Sequence, residues 1–319
     1  MMPMKGKAAV LFALPFGVAG VAIILIAADL IHVPPGDIHG PRWILAACGG
    51  MFAAVGLGIE VYGIRAIRRR AHLKKQLAEH FAEPWYGDYD WNPEGIGDNS
   101  RSRLVGVIIG TLFFALFLSP FTWLAFFSQR GIVMVKVIVG VFDAILLLSI
   151  VYTIYCLIRQ LKFGRGHLRF SRFPFFLGHS LDVQFSNNRG IGRYDKITFT
   201  LRYIQERWIT RGSGKNRSTS VVGFELYRDT KTIEGPGQYR RGDPPLSITF
   251  DLPDGQYDSR LRENPPAYWE LEIKAQTAGV DMATSFVLPV YRSASVASGP
   301  HFSSMERTAP QAEQVGSVL

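Results

Sequence analysis

Four long apolar stretches constrain this chain more than any other feature of its sequence. They cover residues 8–30, 43–64, 104–127 and 132–158. A helix needs about 20 apolar residues to cross the roughly 30 Å of hydrocarbon in a bilayer. Buried helices of soluble proteins rarely stay so free of charge over such a length. The sequence therefore predicts four membrane helices, arranged as two hairpins.

A cleaved signal peptide is the alternative for the first stretch. Lys5 and Lys7 would supply its basic n-region. The apolar core, however, is longer than the usual 7–15 or so residues of a signal peptide. Ala27-Ala28 before Asp29 is a poor match to a small-x-small cleavage site. We therefore expect an uncleaved helix.

Basic residues predict the orientation of these helices. Lys and Arg are frequent near the N-terminus, over residues 65–75 and over 159–172, whereas the 31–42 and 128–131 loops carry one each. The positive-inside rule places both termini on the cytoplasmic side. We expect the membrane to be a bacterial inner (plasma) membrane. Two basic collars at the inner leaflet predict binding to anionic lipids, with each base worth on the order of 1 kcal/mol. The collar residues are Arg68, Arg69, Arg70, Lys74, Lys75, Arg159, Lys162 and Arg165.

Small residues recur on the apolar stretches at four-residue spacing. Small side chains let helix backbones approach closely in lipid. We expect them to pack the helices against each other within one chain. A seam between copies, giving a homo-oligomer, is the alternative. The residues are Ala46, Gly50, Ala54 and Gly58 on the second stretch, and Gly106 and Gly110 on the third.

Four ionisable residues lie inside or at the ends of the stretches, namely Asp29, Glu60, Lys136 and Asp143. Asp143 is near the middle of the fourth stretch, where a carboxylate costs about 2.5–3.5 kcal/mol. We expect a structural hydrogen bond for Asp143 rather than a proton or ion path, because no sustained polar stripe accompanies it. Asp29 and Lys136 are expected at a similar depth in the membrane. We therefore predict an ion pair between them at the membrane interface.

Beyond residue 163 the apolar residues alternate with polar ones, as they do in half-buried strands. Clear runs cover residues 197–203, 246–252, 269–275 and 286–290. The intervening segments are rich in Gly, Asn, Asp and Pro, which form turns. The pattern predicts an antiparallel β-sandwich over about seven strands. The Ser-, Ala- and Gly-rich end of the chain predicts a disordered tail.

Part of this region resembles arrestin-like and other immunoglobulin-like sandwiches. Residues 267–274 form an aromatic-led strand, and residues 286–290 form a strand that ends in an apolar-Pro-apolar step at Pro289. Such a pair is similar to the closing hairpin of that fold, and residues 179–185 and 197–203 resemble its opening strands. The resemblance implies binding to a protein rather than catalysis.

A second resemblance involves the segment between the hairpins. Glu83-Pro84-Trp85 and Asp90-Trp91 are similar to a Pro-Trp…Asp-Trp signature of uncharacterised bacterial multi-pass membrane proteins, which carry no assigned activity. We expect Trp85 and Trp91 to lie at the membrane interface or against the sandwich. A ligand-binding role for these aromatic residues is the alternative.

No motif for catalysis, cofactor binding or metal binding is evident. The seven His lack the spacing of a helical metal site, and the two Cys lie inside apolar stretches. Residues 212–216 fail as a phosphate loop because Ile209 stands where its first Gly belongs. We therefore expect a protein that is not an enzyme, has no cofactor and does not bind nucleic acid, since no basic stripe with interleaved aromatics is present.

These observations divide the chain into five segments. We expect a first transmembrane hairpin (1–67), a cytoplasmic basic and aromatic loop (68–103), a second hairpin (104–162), the β-sandwich (163–292) and the tail (293–319). The expected function is a membrane-anchored scaffold or adaptor that binds a protein partner through sheet edges or the loops 211–219 and 235–245. The alternative is a small transporter or channel subunit that uses Asp143.

Overall fold

The computed structural model describes residues 6–34, 41–79, 83, 85–127, 133–212 and 217–293. Four of its helices are long and apolar enough to cross a membrane, which confirms the four predicted stretches. The expected tail, apart from Ser293, lies outside the described residues. The helices are α1 (Gly6–Ala27), α2 (Arg42–Glu79), α3 (Trp85–Asp88), α4 (Ser100–Phe126) and α5 (Val133–Phe163).

Helices α1 and α2 pack through glycines spaced seven residues apart. A Cβ atom at Gly20 would lie 2.3 Å from the backbone nitrogen of Ala53, so the two backbones touch there. The same close approach occurs at Gly56 and Gly63 of α2. Such contacts need glycine because any side chain would separate the helices.

The predicted packing of the four-residue stripe within one chain is therefore wrong. Among the described residues, none outside the glycine's own stretch of helix lies within 4 Å of a Cβ placed at Gly50, Gly58, Gly106 or Gly110. Ala46 and Ala54 are exposed as well. On α2 the stripe recurs every four residues, whereas the glycines that contact α1 recur every seven. The two sets therefore lie on different faces of that helix.

Helices α4 and α5 are joined by hydroxyl groups. The Thr111 hydroxyl lies 2.8 Å from the hydroxyls of both Ser149 and Thr153. Interhelical hydrogen bonds of this kind hold helices together in lipid, where apolar contact adds little driving force. The bonds set the rotation of α4 against α5.

The C-terminal part consists mainly of two four-stranded antiparallel sheets, with strand orders β1-β2-β4-β7 and β6-β5-β8-β9. Strands β3 and β10 form a short parallel pair. The strands are β1 (Gly95–Gly97), β2 (Gly166–Phe170), β3 (Phe175–Phe176), β4 (Ser180–Asn187), β5 (Gly190–Arg211), β6 (Ser218–Arg240), β7 (Leu246–Asp251), β8 (Ala267–Gln276), β9 (Met282–Leu288) and β10 (Val290–Tyr291).

Both sheets contribute to one hydrophobic core. Trp269, Leu271 and Ile273 of β8 are fully buried, and the glutamates between them face outward, as the alternation predicts. Across the core, the rings of Phe185 in β4 and Phe286 in β9 are 6.1 Å apart. Two sheets that share a core in this way fit a β-sandwich.

Two expectations about loops need correction. The 68–103 segment is not simply a loop, since α2 continues to Glu79 and β1 adds a strand beside β2. The predicted loop 235–245 is strand up to Arg240, because β6 stays paired with β5 through register shifts around its Gly-Pro-Gly sequence. Bulges let a strand pass such residues without ending.

Candidate functional site

The β5–β6 hairpin extends beyond the rest of its sheet. Strand β8 pairs with β5 from Lys196 to Gln205 and no further. Beyond that point β5 pairs with β6 alone, up to the Arg211–Ser218 pair. We call residues 206–211 and 218–223 the arm. Its tip at residues 213–216 lies outside the described residues.

The arm and the adjoining part of β6 expose apolar and basic side chains together. Phe224 and Leu226 are 37% and 45% exposed. Trp208 pairs with Val221 across the two strands and is only half-buried. The Arg207 guanidinium lies 5.7 Å from the centre of the Phe224 ring. Aromatic side chains and Arg are the residue types that most often anchor protein interfaces.

Strand β6 is also an edge of its sheet. In the described part of the chain it pairs with β5 and with no second strand. Residues 218–234 contain no Pro, so their outward backbone groups are free to pair with another strand. Edge pairing of this kind is a common way to bind an extended peptide.

The arm leaves its sheet at the end opposite to the one that α5 contacts. Strands β5 and β9 run in the same direction, because both are antiparallel to β8. Arg159 of α5 donates a hydrogen bond to the carbonyl oxygen of Ala283, near the start of β9. The chain beyond β9 reaches Tyr291, at the other end of the sheet. The arm leaves the sheet at that remote end.

That remote end is held by a buried network around Asp88 of α3. The Asp88 carboxylate accepts hydrogen bonds from the backbone nitrogens of Leu261 (3.0 Å) and Arg262 (2.7 Å). It also accepts one from the Tyr291 hydroxyl at 3.1 Å, and Trp91 donates its indole N–H to that hydroxyl at 3.0 Å.

Burial perturbs both ionisable groups of the network. It raises the pKa of Asp88 above its ordinary value, although the three hydrogen bonds to the carboxylate act in the opposite direction. Burial and the nearby Asp88 charge raise the pKa of the Tyr291 hydroxyl. The hydroxyl therefore stays protonated and serves as a donor.

The two loop aromatic residues pack against the sheets. The Trp85 ring lies 6.1 Å from that of Phe176 and 6.0 Å from that of Tyr291. Trp91 is buried. Leu77 of α2 packs on Gly87. Sequence reasoning missed Asp88 and Tyr291, and the flanking tryptophans were the signal that could have pointed to them.

The collar residues divide into two groups. The five on α2 are exposed, and the Arg69 guanidinium lies 5.0 Å from the centre of the Tyr89 ring. Arg165 is also exposed. Lys162, in contrast, donates to the Thr277 hydroxyl and to two carbonyl oxygens of the β8–β9 turn. Lys162 and Arg159 thus bind α5 to the sheets.

The expected Asp29–Lys136 ion pair is wrong, because Asp29 instead pairs with Arg42 at 3.0 Å. Arg42 is much nearer along the chain, across the connection between α1 and α2. Asp143 accepts a hydrogen bond from Thr122 at 2.9 Å. In the described residues Glu60 and Lys136 form no ion pair, and no cluster of three His, Cys, Asp or Glu residues is suited to a metal.

The chain matches no protein-family model and no curated protein. Among solved structures, the sporulation control protein Spo0M from Bacillus subtilis aligns with 40% of this chain and 49% of its own, so the match spans about half of Spo0M. The identity is 13% and the TM-score is 0.22. A TM-score of 0.22 is too low to assign a function or a fold.

Proposed function

We propose that this chain is a non-enzymatic membrane adaptor that binds a protein partner through the arm. Its four apolar helices span a bacterial inner membrane, with both termini and an arrestin-like β-sandwich in the cytoplasm. The observation that carries the proposal is the arm itself, which leaves the sheet at the end opposite to the α5 contact and places Arg207 beside the exposed Phe224 of the adjoining part of β6. The exposed collar residues on α2 lie against anionic lipid.

The partner is expected to present acidic and apolar groups. Among the described residues of the arm, Arg207 and Arg211 outnumber the single acid, Glu206. Complementary charge on the partner would speed association and fix its orientation. An extended segment of the partner could at the same time pair with the open edge of β6.

The test replaces residues 207–222 by an Asn-Gly turn that joins Glu206 to Gly223. A two-residue turn of this type closes a hairpin without strain. The full-length variant and the wild type are purified in mild detergent, and stoichiometric companions are quantified. We expect the arm variant to lose a partner that the wild type retains. Retention of every partner by the arm variant would contradict the proposal.

Asp143→Asn separates this function from transport, the second candidate. An open groove of about 430 Å³ lies between α2, α4 and α5, and Asp143 is the one charged residue among the described residues that line it, which is the observation behind that alternative. The adaptor proposal predicts that Asp143→Asn leaves partner binding intact. Both variants are also tested for rescue of cells that lack the protein. Failure of Asp143→Asn to rescue, combined with full rescue by the arm variant, would favour a transporter or channel subunit.

A further inference from the structure

A cavity of about 200 Å³ lies between the inner ends of α4 and α5 and the outer face of β8 and β9. Arg103 of α4 and Arg159 of α5 line its helix side, together with Leu104 and Cys156. Glu270 and Glu272 of β8 line its sheet side. Neither the adaptor proposal nor the Asp88 network uses this space.

Arg103 and Arg159 lie at the same depth along the α4–α5 pair. Arg103 directly precedes the apolar stretch of α4, and Arg159 directly follows that of α5. If both helices span the bilayer, as proposed above, these guanidinium groups lie at the boundary between the acyl chains of the bilayer and the layer of lipid phosphates. The cavity therefore opens at the depth of the lipid head groups.

Opposite charges face this cavity without pairing across it. In the described part of the chain neither Arg103 nor Arg159 forms an ion pair, and Arg159 donates to the carbonyl oxygen of Ala283 in the cavity wall. Arg202 lies 2.8 Å from Glu270 and 3.6 Å from Glu272, and Lys274 lies 2.9 Å from the other oxygen of Glu272. The helix side of the cavity is thus cationic. On the sheet side, the Oε1 atom of Glu270 is the carboxylate oxygen without an ion pair in the described part of the chain.

We propose that the cavity binds the head group of phosphatidylethanolamine. The lipid phosphate contacts Arg103 and Arg159, since a guanidinium donates two parallel hydrogen bonds to phosphate oxygens. The primary ammonium of the same head group donates to the Oε1 atom of Glu270. The volume equals that of about seven water molecules, which suits a head group and leaves the acyl chains in the bilayer.

This arrangement predicts a selectivity among lipids. The quaternary ammonium of phosphatidylcholine has no N–H to donate to the carboxylates. Phosphatidylglycerol has no cation at all and would bring its negative charge towards them. We therefore expect phosphatidylethanolamine to bind best.

The test uses full-length protein in phosphatidylcholine nanodiscs that contain a minor fraction of phosphatidylethanolamine or phosphatidylglycerol. Lipids retained after gentle release are counted by native mass spectrometry. Arg103→Gln is expected to weaken retention of phosphatidylethanolamine about tenfold, because it removes charged hydrogen bonds. The matched control is Arg101→Gln, which removes the same charge from an exposed residue outside the cavity and should change nothing.

Glu270→Gln provides a second variant, which still tests the proposal if Arg103→Gln fails to fold. It should abolish the preference for phosphatidylethanolamine over phosphatidylcholine and leave the retention of phosphatidylcholine unchanged. Equal retention of phosphatidylglycerol by the wild type, or an equal effect of the Arg101 and Arg103 variants, would overturn the proposal. Competition by free phosphoethanolamine as strong as that by the lipid would overturn the assignment to a membrane lipid.

Discussion

The Tyr291 hydroxyl donates a hydrogen bond of 3.1 Å to the Asp88 carboxylate, although 203 residues separate the two in the chain. The bond joins the segment between the two helical hairpins to the last strand. Trp91 donates to the same hydroxyl, so three side chains from both ends of the fold meet in one network. The first helical hairpin is thereby tied to the sheets through side chains as well as through the chain itself.

Asp88→Asn should destabilise the protein by about 1–3 kcal/mol. An amide has one oxygen, so its nitrogen would face a backbone N–H of Leu261 or Arg262 with no acceptor between them. Denaturant unfolding in mild detergent, followed by tryptophan fluorescence, measures the loss. Asp90→Asn is the control, because Asp90 is exposed. Equal stability of the two variants would mean that the network contributes nothing.

The network should also make stability depend on pH in an unusual direction. Because burial raises the pKa of Asp88, the folded protein binds more protons than the unfolded chain between the ordinary aspartate pKa of about 3.9 and the raised value. The contribution of Asp88 to the free energy of unfolding is complete below that window and falls as pH rises through it. The difference in unfolding free energy between the wild type and Asp88→Asn should therefore shrink with rising pH. A growing difference would contradict this sign.

Local patterns predicted much of the fold. The alternation from Trp269 to Ala275 correctly separates the buried face of β8 from its outer face. The four apolar stretches correctly locate the long helices. Both features follow from the periodicity of a single element, which a sequence displays directly.

Features that depend on two distant segments were not predictable in this way. The seven-residue glycine repeat of α2 at residues 49, 56 and 63 gains meaning only beside Gly6, Ala13 and Gly20 of α1. Strand β1 has three residues and forms because β2, far along the chain, is placed beside it. The Asp88 network likewise needs Tyr291. In each case one segment alone carries too little information.

Gly20→Ala should loosen the contact between α1 and α2. The added methyl group would meet the backbone of Ala53 at 2.3 Å, and overpacking of this kind costs about 1–3 kcal/mol. Thermal stability in detergent measures the effect. Gly50→Ala makes the same change on the open side of α2 and should be neutral or slightly stabilising, since Ala favours helix. A neutral Gly20→Ala would rule out backbone contact at this position.

The proposed orientation predicts the behaviour of reporter fusions. β-Galactosidase fused after Arg292 should be active, because it folds in the cytoplasm, and alkaline phosphatase at the same site should be inactive. The reason is the excess of Lys and Arg over residues 65–75 and 159–172, which are retained on the cytoplasmic side. The opposite pair of activities would place the sheets outside the cytoplasm.

Two tryptophans on the same sheet should differ sharply in their contribution to stability. Trp269 is fully buried in the core, and Trp269→Ala should cost about 3–5 kcal/mol. Trp208 is half-buried and lies on the arm, where β5 pairs with β6, so Trp208→Ala should cost less than about 1 kcal/mol. Denaturant unfolding of both variants in detergent checks the contrast. If Trp208→Ala proves as costly as Trp269→Ala, the arm contributes to the core, and its exposed residues lose their explanation as a binding surface.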